Sequence, residues 1–331
     1  MISIVLPGEN TSALGVLAPV GLASILDEAG LGPATFCWSV DSVPSRAVVS
    51  SSAASAEAVA EAVRAHAARH CRSDSWLQAT IVELANHGRA LFSPRSTVDP
   101  SQWPEYLRQR EAFLSRSILT NLDWGLLSAL GEPAWWQSTP DMGASLWDMH
   151  LRASGREIVS DRFRGIARAV SDRSVALVLE GLLGEKIEDE CGDNKSNSQT
   201  PNGLTPPNIT DNALAWVALW GLSAMPVFPV LGASGPRFGL SQTPGMFPRR
   251  DRKPEWAALP IVGRSHTCGS LRGILISLAF DAVAFGPEGG AIAERAWLAE
   301  QGVVALLRCE VHKTPVKNPQ LYLRFGTLDV L

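Results

Sequence analysis

The sequence has few of the features that mark a secreted or a disulfide-bonded protein. Its five cysteines are odd in number and form no Cys-x-x-Cys pair. The first basic residue is Arg46, so the apolar start has no positively charged segment of the kind that opens a secretory signal. We therefore expect reduced thiols and a cytoplasmic location.

Short catalytic and phosphate-binding motifs are also missing. The chain contains neither Gly-x-x-x-x-Gly-Lys-Ser/Thr nor Gly-x-Gly-x-x-Gly, and neither Gly-x-Ser-x-Gly nor Ser-x-x-Lys. Residues far apart in the sequence can still assemble into a catalytic site, so the absence of motifs does not exclude an enzyme. The sequence favours a protein that binds its partner rather than transforms it, with no cofactor.

Only one stretch is long enough and uncharged enough to suggest a membrane span. Residues 213–236 carry no charged side chain, and about 20 apolar residues suffice to cross a bilayer. Pro226, Pro229 and Gly232 interrupt the run. A buried helix over 212–224 followed by a buried strand over 226–231 explains it better, so we expect no membrane association.

The pattern of the remaining chain predicts an α+β fold. Of the 331 residues, 46% are hydrophobic and 19% are charged, which is ordinary for a globular protein. Thr11 or Ser12 can cap an apolar helix that runs to Glu28. Two short strands and an alanine-rich helix then complete a small N-terminal α/β unit, which precedes a helical middle and an α/β C-terminal part. The strands are predicted over 34–40 and 46–50, and the helices over 55–72 and 76–87.

Residues 185–211 interrupt this pattern. The segment is acidic, then polar, then rich in proline and glycine, with almost no large apolar residue. Such a composition buries too little surface to offset the entropy of ordering, so it predicts a flexible linker or loop that is dispensable for folding. The chain then divides into residues 1–184, the linker 185–211, and residues 212–331.

Two groups of histidine and cysteine have spacings that a metal could use. His66 and His70 lie one turn apart on a helix, but Ala67 stands where a zinc-protease motif has glutamate, so a solvent-facing pair is the favoured interpretation. The second group could form a Cys2His2 zinc site in a metal-dependent enzyme. Its members are His266, Cys268, Cys309 and His312. On a strand, however, residues three apart point to opposite faces, which separates Cys309 from His312.

Charge is distributed unevenly along the chain. The net charge is −4, but residues 212–331 carry twelve basic and eight acidic side chains. Among the 29 basic residues only five are lysine. Arginine suits phosphate recognition, although a GC-rich genome also favours arginine codons.

The densest basic cluster is Arg249-Arg250-Asp251-Arg252-Lys253, which follows Phe247. Arginines beside an aromatic residue on a loop can neutralise phosphates and stack on bases. A solvated surface loop is the alternative. The nucleic-acid-binding residues predicted on this basis are Arg237, Arg249, Arg250, Arg252, Lys253, Arg264, Arg272, Lys313 and Lys317.

Several local patterns together resemble the large-subunit family of type I CRISPR effector (Cascade) complexes, in particular its U and G subtypes. The opening ALGVLAPVGLASILDEAGLGPATFCWSVD resembles that family's first helix and strand. LDWGLLSALGE with SLWDMHLRASGREIVSDRFRGIARAV resembles its middle block, and ALAWVALWGLSAMPVFPV with ALPIVGRSHTCGSLRGIL resembles its later helix, strand and helix. The matches cover about two thirds of the chain in the right order, and they consist of apolar and glycine positions.

The resemblance implies a non-catalytic subunit of an RNA-guided complex. Its expected partners are the other subunits, the guide RNA, and the target DNA, both as the duplex beside the target and as opened strands. In such systems the protein reads shape and a short motif while base pairing reads sequence. The family's duplex-reading residues do not align by motif, so the arginine predictions depend on the residues alone. The chain is shorter than the family's members, and an interaction protein unrelated to CRISPR stays an alternative beside the metal-dependent enzyme.

Overall fold

The computed structural model describes residues 1–39, 44–84, 88–94, 99–131, 143–149, 158–230, 240–247, 255–286, 292–315 and 320–331. Within these ranges helices and strands are mixed, which confirms the α+β class predicted from the sequence. The strands are β1 (Ile2–Glu9), β2 (Thr35–Trp38), β3 (Arg46–Ser51), β4 (Phe228–Val230), β5 (Leu240–Gln242), β6 (Met246–Phe247), β7 (Trp256–Val262), β8 (Val303–Lys313), β9 (Leu321–Leu323) and β10 (Thr327–Val330). The helices are α1 (Ala13–Glu28), α2 (Ala56–Cys71), α3 (Trp103–Arg116), α4 (Asn121–Leu130), α5 (Arg164–Asp172), α6 (Val175–Leu183), α7 (Asn212–Gly221), α8 (Cys268–Leu275), α9 (Leu278–Phe285) and α10 (Ile292–Glu300).

The strands form an N-terminal and a C-terminal antiparallel sheet and a separate two-stranded ladder. The N-terminal sheet has the order β1-β3-β2, so β3 lies in the middle. The C-terminal sheet has the order β10-β8-β7-β6, and the far end of the long strand β8 also pairs with β9. The ladder consists of β4 and β5.

Helices α1 and α7 lie at the centre of the fold. Ser12 caps α1, as the sequence predicts, because its Oγ accepts a hydrogen bond of 3.0 Å from the Gly15 N–H. All residues of α1 from Ala13 to Leu26 are buried, and α7 is buried from end to end. A helix that is apolar on every side requires such a position. The prediction of a buried helix at the start of the uncharged run is therefore confirmed.

The two central helices touch through their backbones. A Cβ atom added to Gly21 would lie 1.8 Å from the Val217 carbonyl oxygen, and one added to Gly221 would lie 2.2 Å from the Leu17 carbonyl oxygen. Real atoms cannot approach so closely, so this crossing requires glycine on both helices.

The helix predicted over 76–87 is wrong in the part that the structure describes. A single turn of 3-10 helix occupies Trp76–Gln78, and Thr80 then forms a β-bridge with Ala90. Trp76 is nevertheless fully buried. Its indole packs beneath α2 and α4, so the apolar residues that suggested a helix instead anchor a loop.

Residues 185–211 form a loop with many hydrogen bonds of its own, and the expectation that the segment is mobile and dispensable for folding stays a prediction. The buried carboxylate of Asp189 accepts hydrogen bonds from Thr200 Oγ1 at 2.5 Å, Asn212 Nδ2 at 3.0 Å and the Thr210 N–H at 3.1 Å. The Leu204 carbonyl also accepts from the Leu14 N–H at the start of α1. Short polar side chains thus order this segment without an apolar core of its own.

Residues from both sides of this loop belong to one continuous cluster of buried side chains. The cluster includes α1 and α2 from the first region and α7, β7 and β8 from the last. The division of the chain at 185–211 stays a prediction that limited proteolysis can test.

Among the described residues no single helix is long and apolar enough to cross a membrane. The adjoining helices α8 and α9 reach that length and composition only as a pair, and they are bent by 61° relative to each other.

Arg173 holds the loop 185–211 against α6 and α7, and its replacement by alanine should destabilise the fold. Its Nη1 lies 3.0 Å from Asp211 Oδ2, and both side chains are 2% exposed. Removing the cation leaves the buried Asp211 carboxylate with backbone N–H donors but no opposite charge, so we expect the free energy of unfolding in urea to fall by about 3–5 kcal/mol. Arg64→Ala, which breaks an exposed pair with Glu61, is the matched control and should cost less than about 1 kcal/mol. Equal effects of the two substitutions would contradict the anchoring role of Arg173.

Candidate nucleic-acid interface

The strands β6 and β7 form a hairpin that ends at a pair of aromatic side chains. Phe247 is the cross-strand partner of Trp256, and their ring centroids are 5.3 Å apart. The Glu255 N–H donates a hydrogen bond of 2.8 Å to the Phe247 carbonyl oxygen. The chain therefore leaves the sheet at Phe247 and returns to it at Glu255, next to the same aromatic pair. The arginine cluster lies in the connection 248–254, which is outside the described residues.

Phe285 and Arg308 extend this aromatic pair. Phe285, the last residue of α9, has its ring centroid 5.9 Å from that of Phe247 and 5.0 Å from that of Trp256. The Arg308 guanidinium lies 5.4 Å from the Trp256 ring centroid. An arginine over an aromatic face gains from the ring quadrupole. Arg308 also pairs with Asp329 at 3.0 Å, which fixes its plane over the tryptophan.

The β8–β9 hairpin continues the same surface. His312 and Tyr322 are cross-strand partners with ring centroids 6.1 Å apart. His312 Nε2 lies 3.0 Å from Glu310 Oε2, and this contact lowers the pKa of the Glu310 carboxyl. Glu310 is in turn the cross-strand partner of Trp256. A hollow of about 420 Å³ lies between Trp256, Arg308 and His312.

These side chains together form what we call the aromatic–basic surface. All of its members are half-buried, so each has a fixed position and an accessible face. It consists of Phe247, Trp256, Phe285, Arg308, His312 and Tyr322.

The predicted nucleic-acid-binding residues fall into three groups: exposed residues, one residue used inside the protein, and residues outside the described ranges. Lys313 is exposed at the end of β8, where strand alternation points it to the opposite face from His312. Arg264 is exposed after β7, where it donates to the Glu300 carbonyl at 3.3 Å. Arg272 is used inside the protein, because its Nη2 donates to the Ser223 carbonyl at 2.8 Å and its Nε is buried. Those outside the described residues are Arg237, Arg249, Arg250, Arg252, Lys253 and Lys317.

Sequence reasoning did not identify the other members of the aromatic–basic surface. The sequence places Phe247 just before the arginines, but Trp256, Phe285 and Arg308 join it only through the sheet and α9. The signal that could have found Trp256 is its place just after the basic loop, which is the position expected of a hairpin partner for Phe247.

Three of the four residues of the alternative zinc site have other contacts, and the fourth, Cys268, is a half-buried free thiol at the start of α8. The Cys309 thiol is buried against the backbone at the start of α1, and burial raises its pKa to about 12, so the metal-binding thiolate is disfavoured. His312 faces Glu310 on the surface, and His266 Nδ1 lies 3.0 Å from Ser270 Oγ. Among the described residues no group of three or more histidine, cysteine or acidic side chains is arranged to hold a metal ion.

His66 and His70 are buried, so the prediction of a solvent-facing pair is wrong. The Trp216 indole N–H donates to His66 Nδ1 at 3.1 Å, and the ring centroid of His70 lies 4.7 Å from that of Trp220. Both tryptophans belong to α7. The helical periodicity of α2 could not reveal that two polar side chains on its inner face meet an indole N–H and two carboxylates there.

Charged groups surround the two histidines. Together they form what we call the buried polar cluster, which consists of Glu28, His66, Arg69, His70 and Asp123. Arg69 lies between Glu28 and Asp123, at 2.9 Å and 2.8 Å from their carboxylate oxygens. Asp123 also accepts from the Trp76 indole N–H at 2.9 Å. Burial raises the pKa of Glu28, although hydrogen bonds from Thr120 and Arg69 act against it. The cluster thus ties α1, α2 and α4 together at one point.

Ser75, His70 and Asp123 approach one another in the manner of a serine-hydrolase triad, but the hydrogen-bond directions oppose that chemistry. His70 Nδ1 lies 3.0 Å from Ser75 Oγ, and His70 Nε2 lies 3.0 Å from Arg69 Nη2 and 3.5 Å from Asp123 Oδ1. A guanidinium only donates, so Nε2 is the acceptor and Nδ1 carries the proton. His70 then donates to Ser75 and cannot remove its proton, as a general base must.

No protein-family model, curated protein or solved structure matches this chain.

The two buried histidines should make the fold sensitive to acid. Burial, aided by the positive charge of Arg69, holds the pKa values of His66 and His70 well below 6.5. Below pH 6.5 the unfolded chain binds a proton at each histidine and the native chain does not, so the free energy of unfolding falls as pH falls. The limit is about 1.4 kcal/mol per pH unit for each histidine. The raised pKa of Glu28 makes the free energy of unfolding rise as pH falls towards 4.5, which opposes the effect of the histidines. Because two histidines act against one carboxyl, we expect the net free energy of unfolding to fall.

Urea unfolding between pH 7.5 and 5.5 measures this effect. The His70→Gln variant should have a shallower dependence on pH than the unsubstituted chain, whatever its absolute stability. His312→Gln, which changes a surface histidine, should retain the full dependence. If the free energy of unfolding is the same at both pH values, then the two histidines do not resist protonation.

Proposed function

We propose that this chain is the non-catalytic large subunit of a cytoplasmic, RNA-guided type I CRISPR complex, and that it contacts nucleic acid through its aromatic–basic surface and the adjoining arginine cluster. The likeness of the sequence to that family motivates the proposal. One observation supports the nucleic-acid contact most directly. The connection that contains the arginines begins after Phe247 and ends before Trp256, and these two residues are paired at the end of the hairpin.

The chemistry of this surface suits a nucleic-acid strand. Arginine and lysine neutralise phosphates and release condensed counterions, which supplies most of the affinity. Aromatic rings held at fixed positions provide faces on which bases stack, at about 1–3 kcal/mol per base. Trp256 is held by Phe247, Phe285 and Arg308, so it has little rotamer freedom left to lose on binding.

The charge distribution agrees with this assignment. The basic side chains of residues 212–331 outnumber the acidic ones by twelve to eight, whereas the whole chain has a net charge of −4. The isolated chain should therefore bind DNA weakly, and partner subunits and guide RNA would complete the binding surface.

The first test uses the complex as it exists in its native cells. A tag on this chain should recover other subunits together with guide RNA of uniform length. Recovery of the chain without RNA would contradict a role in an RNA-guided complex.

The second test removes four cations from the recovered assembly. Alanine at Arg249, Arg250, Arg252 and Lys253 should weaken DNA binding and lower the log–log salt slope by up to about three or four. The matched control removes four cations elsewhere on the surface and should leave both quantities unchanged. It changes Arg64, Arg168, Lys186 and Lys195 to alanine.

A third variant separates stacking from charge. Phe247→Leu keeps an apolar side chain at the hairpin end but removes the ring, so affinity should fall while the salt slope stays the same. If the quadruple variant assembles normally with unchanged affinity and unchanged salt slope, the arginine cluster is a solvated loop and this interface is wrong.

A further inference from the structure

A cleft of about 960 Å³ lies on the N-terminal region, apart from the aromatic–basic surface. Its walls are the end of α2 with the turn that follows it, the helix α3, and the residues that lead into α4. This volume is at the upper end of the range for small-molecule sites, which is roughly 300–1,000 Å³. The cleft opens directly above the buried polar cluster, because Arg69, Ser75 and Asp123 form part of its floor.

Four arginines line the cleft, together with four carboxylates. Arg72 and Arg108 form ion pairs on the rim with Asp74 and Glu105, and the two arginines are 68% and 72% exposed. Exposed pairs of this kind are weak, so an incoming phosphate can replace the carboxylate partner. Arg116 is exposed and forms no ion pair with any described residue.

The floor presents hydrogen-bond donors to the cleft. Ser75 Oγ accepts from His70 Nδ1–H at 3.0 Å and from the Leu77 N–H at 3.3 Å, so its own hydroxyl proton is left to donate outward. Beside it, Arg69 is held on one side by Glu28 and Asp123 and is 32% exposed on the other. Asp123 is itself fully buried and has no exposed oxygen to repel an anion.

Two exposed apolar side chains also line the cleft. Ile118 is 96% exposed and Val82 is 48% exposed. Apolar contacts next to arginines suit a base attached to a phosphate, since the base needs an apolar face and the phosphate needs cations.

We infer that this cleft binds a nucleoside phosphate, with the phosphate near Arg116 and Ser75 and the base against Ile118 and Val82. The ligand is either a free nucleotide or a unit of a single strand, because both carry the same chemistry. The inference concerns a second site and stands independently of the proposed function.

The test compares two charge reversals in the full chain at low salt. Arg116→Glu places a carboxylate in the cleft, and Arg168→Glu makes the same change of charge at an exposed position on α5, outside the cleft. The probes are ATP and a fluorescein-labelled oligothymidylate of about 12 nucleotides, a length within the range of single-strand binding sites. Unchanged thermal unfolding of both variants shows that they are folded.

We expect the Arg116→Glu variant to bind at least about tenfold more weakly than the Arg168→Glu variant, which should bind like the unsubstituted chain. Weakened binding of the oligonucleotide without competition by ATP assigns the cleft to a strand, and competition by ATP assigns it to a free nucleotide. Equal binding by the two variants, or no binding of either probe by the unsubstituted chain, overturns the inference.

The outcome is distinguishable from that of the proposed function. The Arg249/Arg250/Arg252/Lys253 alanine variant, measured with the same oligonucleotide, leaves the cleft intact. If the quadruple alanine variant loses oligonucleotide binding while the Arg116→Glu variant keeps it, the aromatic–basic surface is supported and the assignment of the cleft is wrong. If only Arg116→Glu loses binding, the cleft assignment stands by itself.

Discussion

Helices α1 and α7 cross where neither has a side chain, and the rest of the molecule is arranged around that contact. Gly21 and Gly221 bring the two backbones so close that a methyl group on either would overlap a carbonyl oxygen of the other helix. The approach lets Trp216 and Trp220 on α7 reach the inner face of α2, where they pack on His66 and His70. The polar cluster below the cleft therefore exists because the central helices are so close.

Much of the fold could be predicted because the signals are local. Ser12 caps α1 through its own neighbours, and the uncharged run after Asp211 identifies a buried helix whatever packs against it. Contacts that depend on distant residues could not be predicted. The polarity of His66 and His70 predicts a solvent-facing pair, whereas in the structure they are buried against groups from α4 and α7. Within residues 185–211 several hydrogen bonds likewise converge on one buried carboxylate, Asp189, which composition cannot identify.

The candidate interface shows the same limit. The arginine cluster is visible in the sequence as a run of letters, and Phe247 beside it as a single aromatic residue. The packing of Trp256 against Phe285 and Arg308 is not visible there, because those three residues come from three different elements. Strand register and the position of α9 decide that packing, and neither follows from the local pattern.

The contact between Gly21 and Gly221 also has a consequence for synthesis of the chain. Helix α1 is apolar on every side, yet its partner α7 is translated about 200 residues later, which takes roughly 10–40 s at 5–20 residues per second. During that interval the first helix has no partner for the face that α7 will cover. The face of α1 that α7 will cover therefore stays exposed on the nascent chain for most of its translation, and exposed apolar surface of this kind makes a chain prone to aggregation.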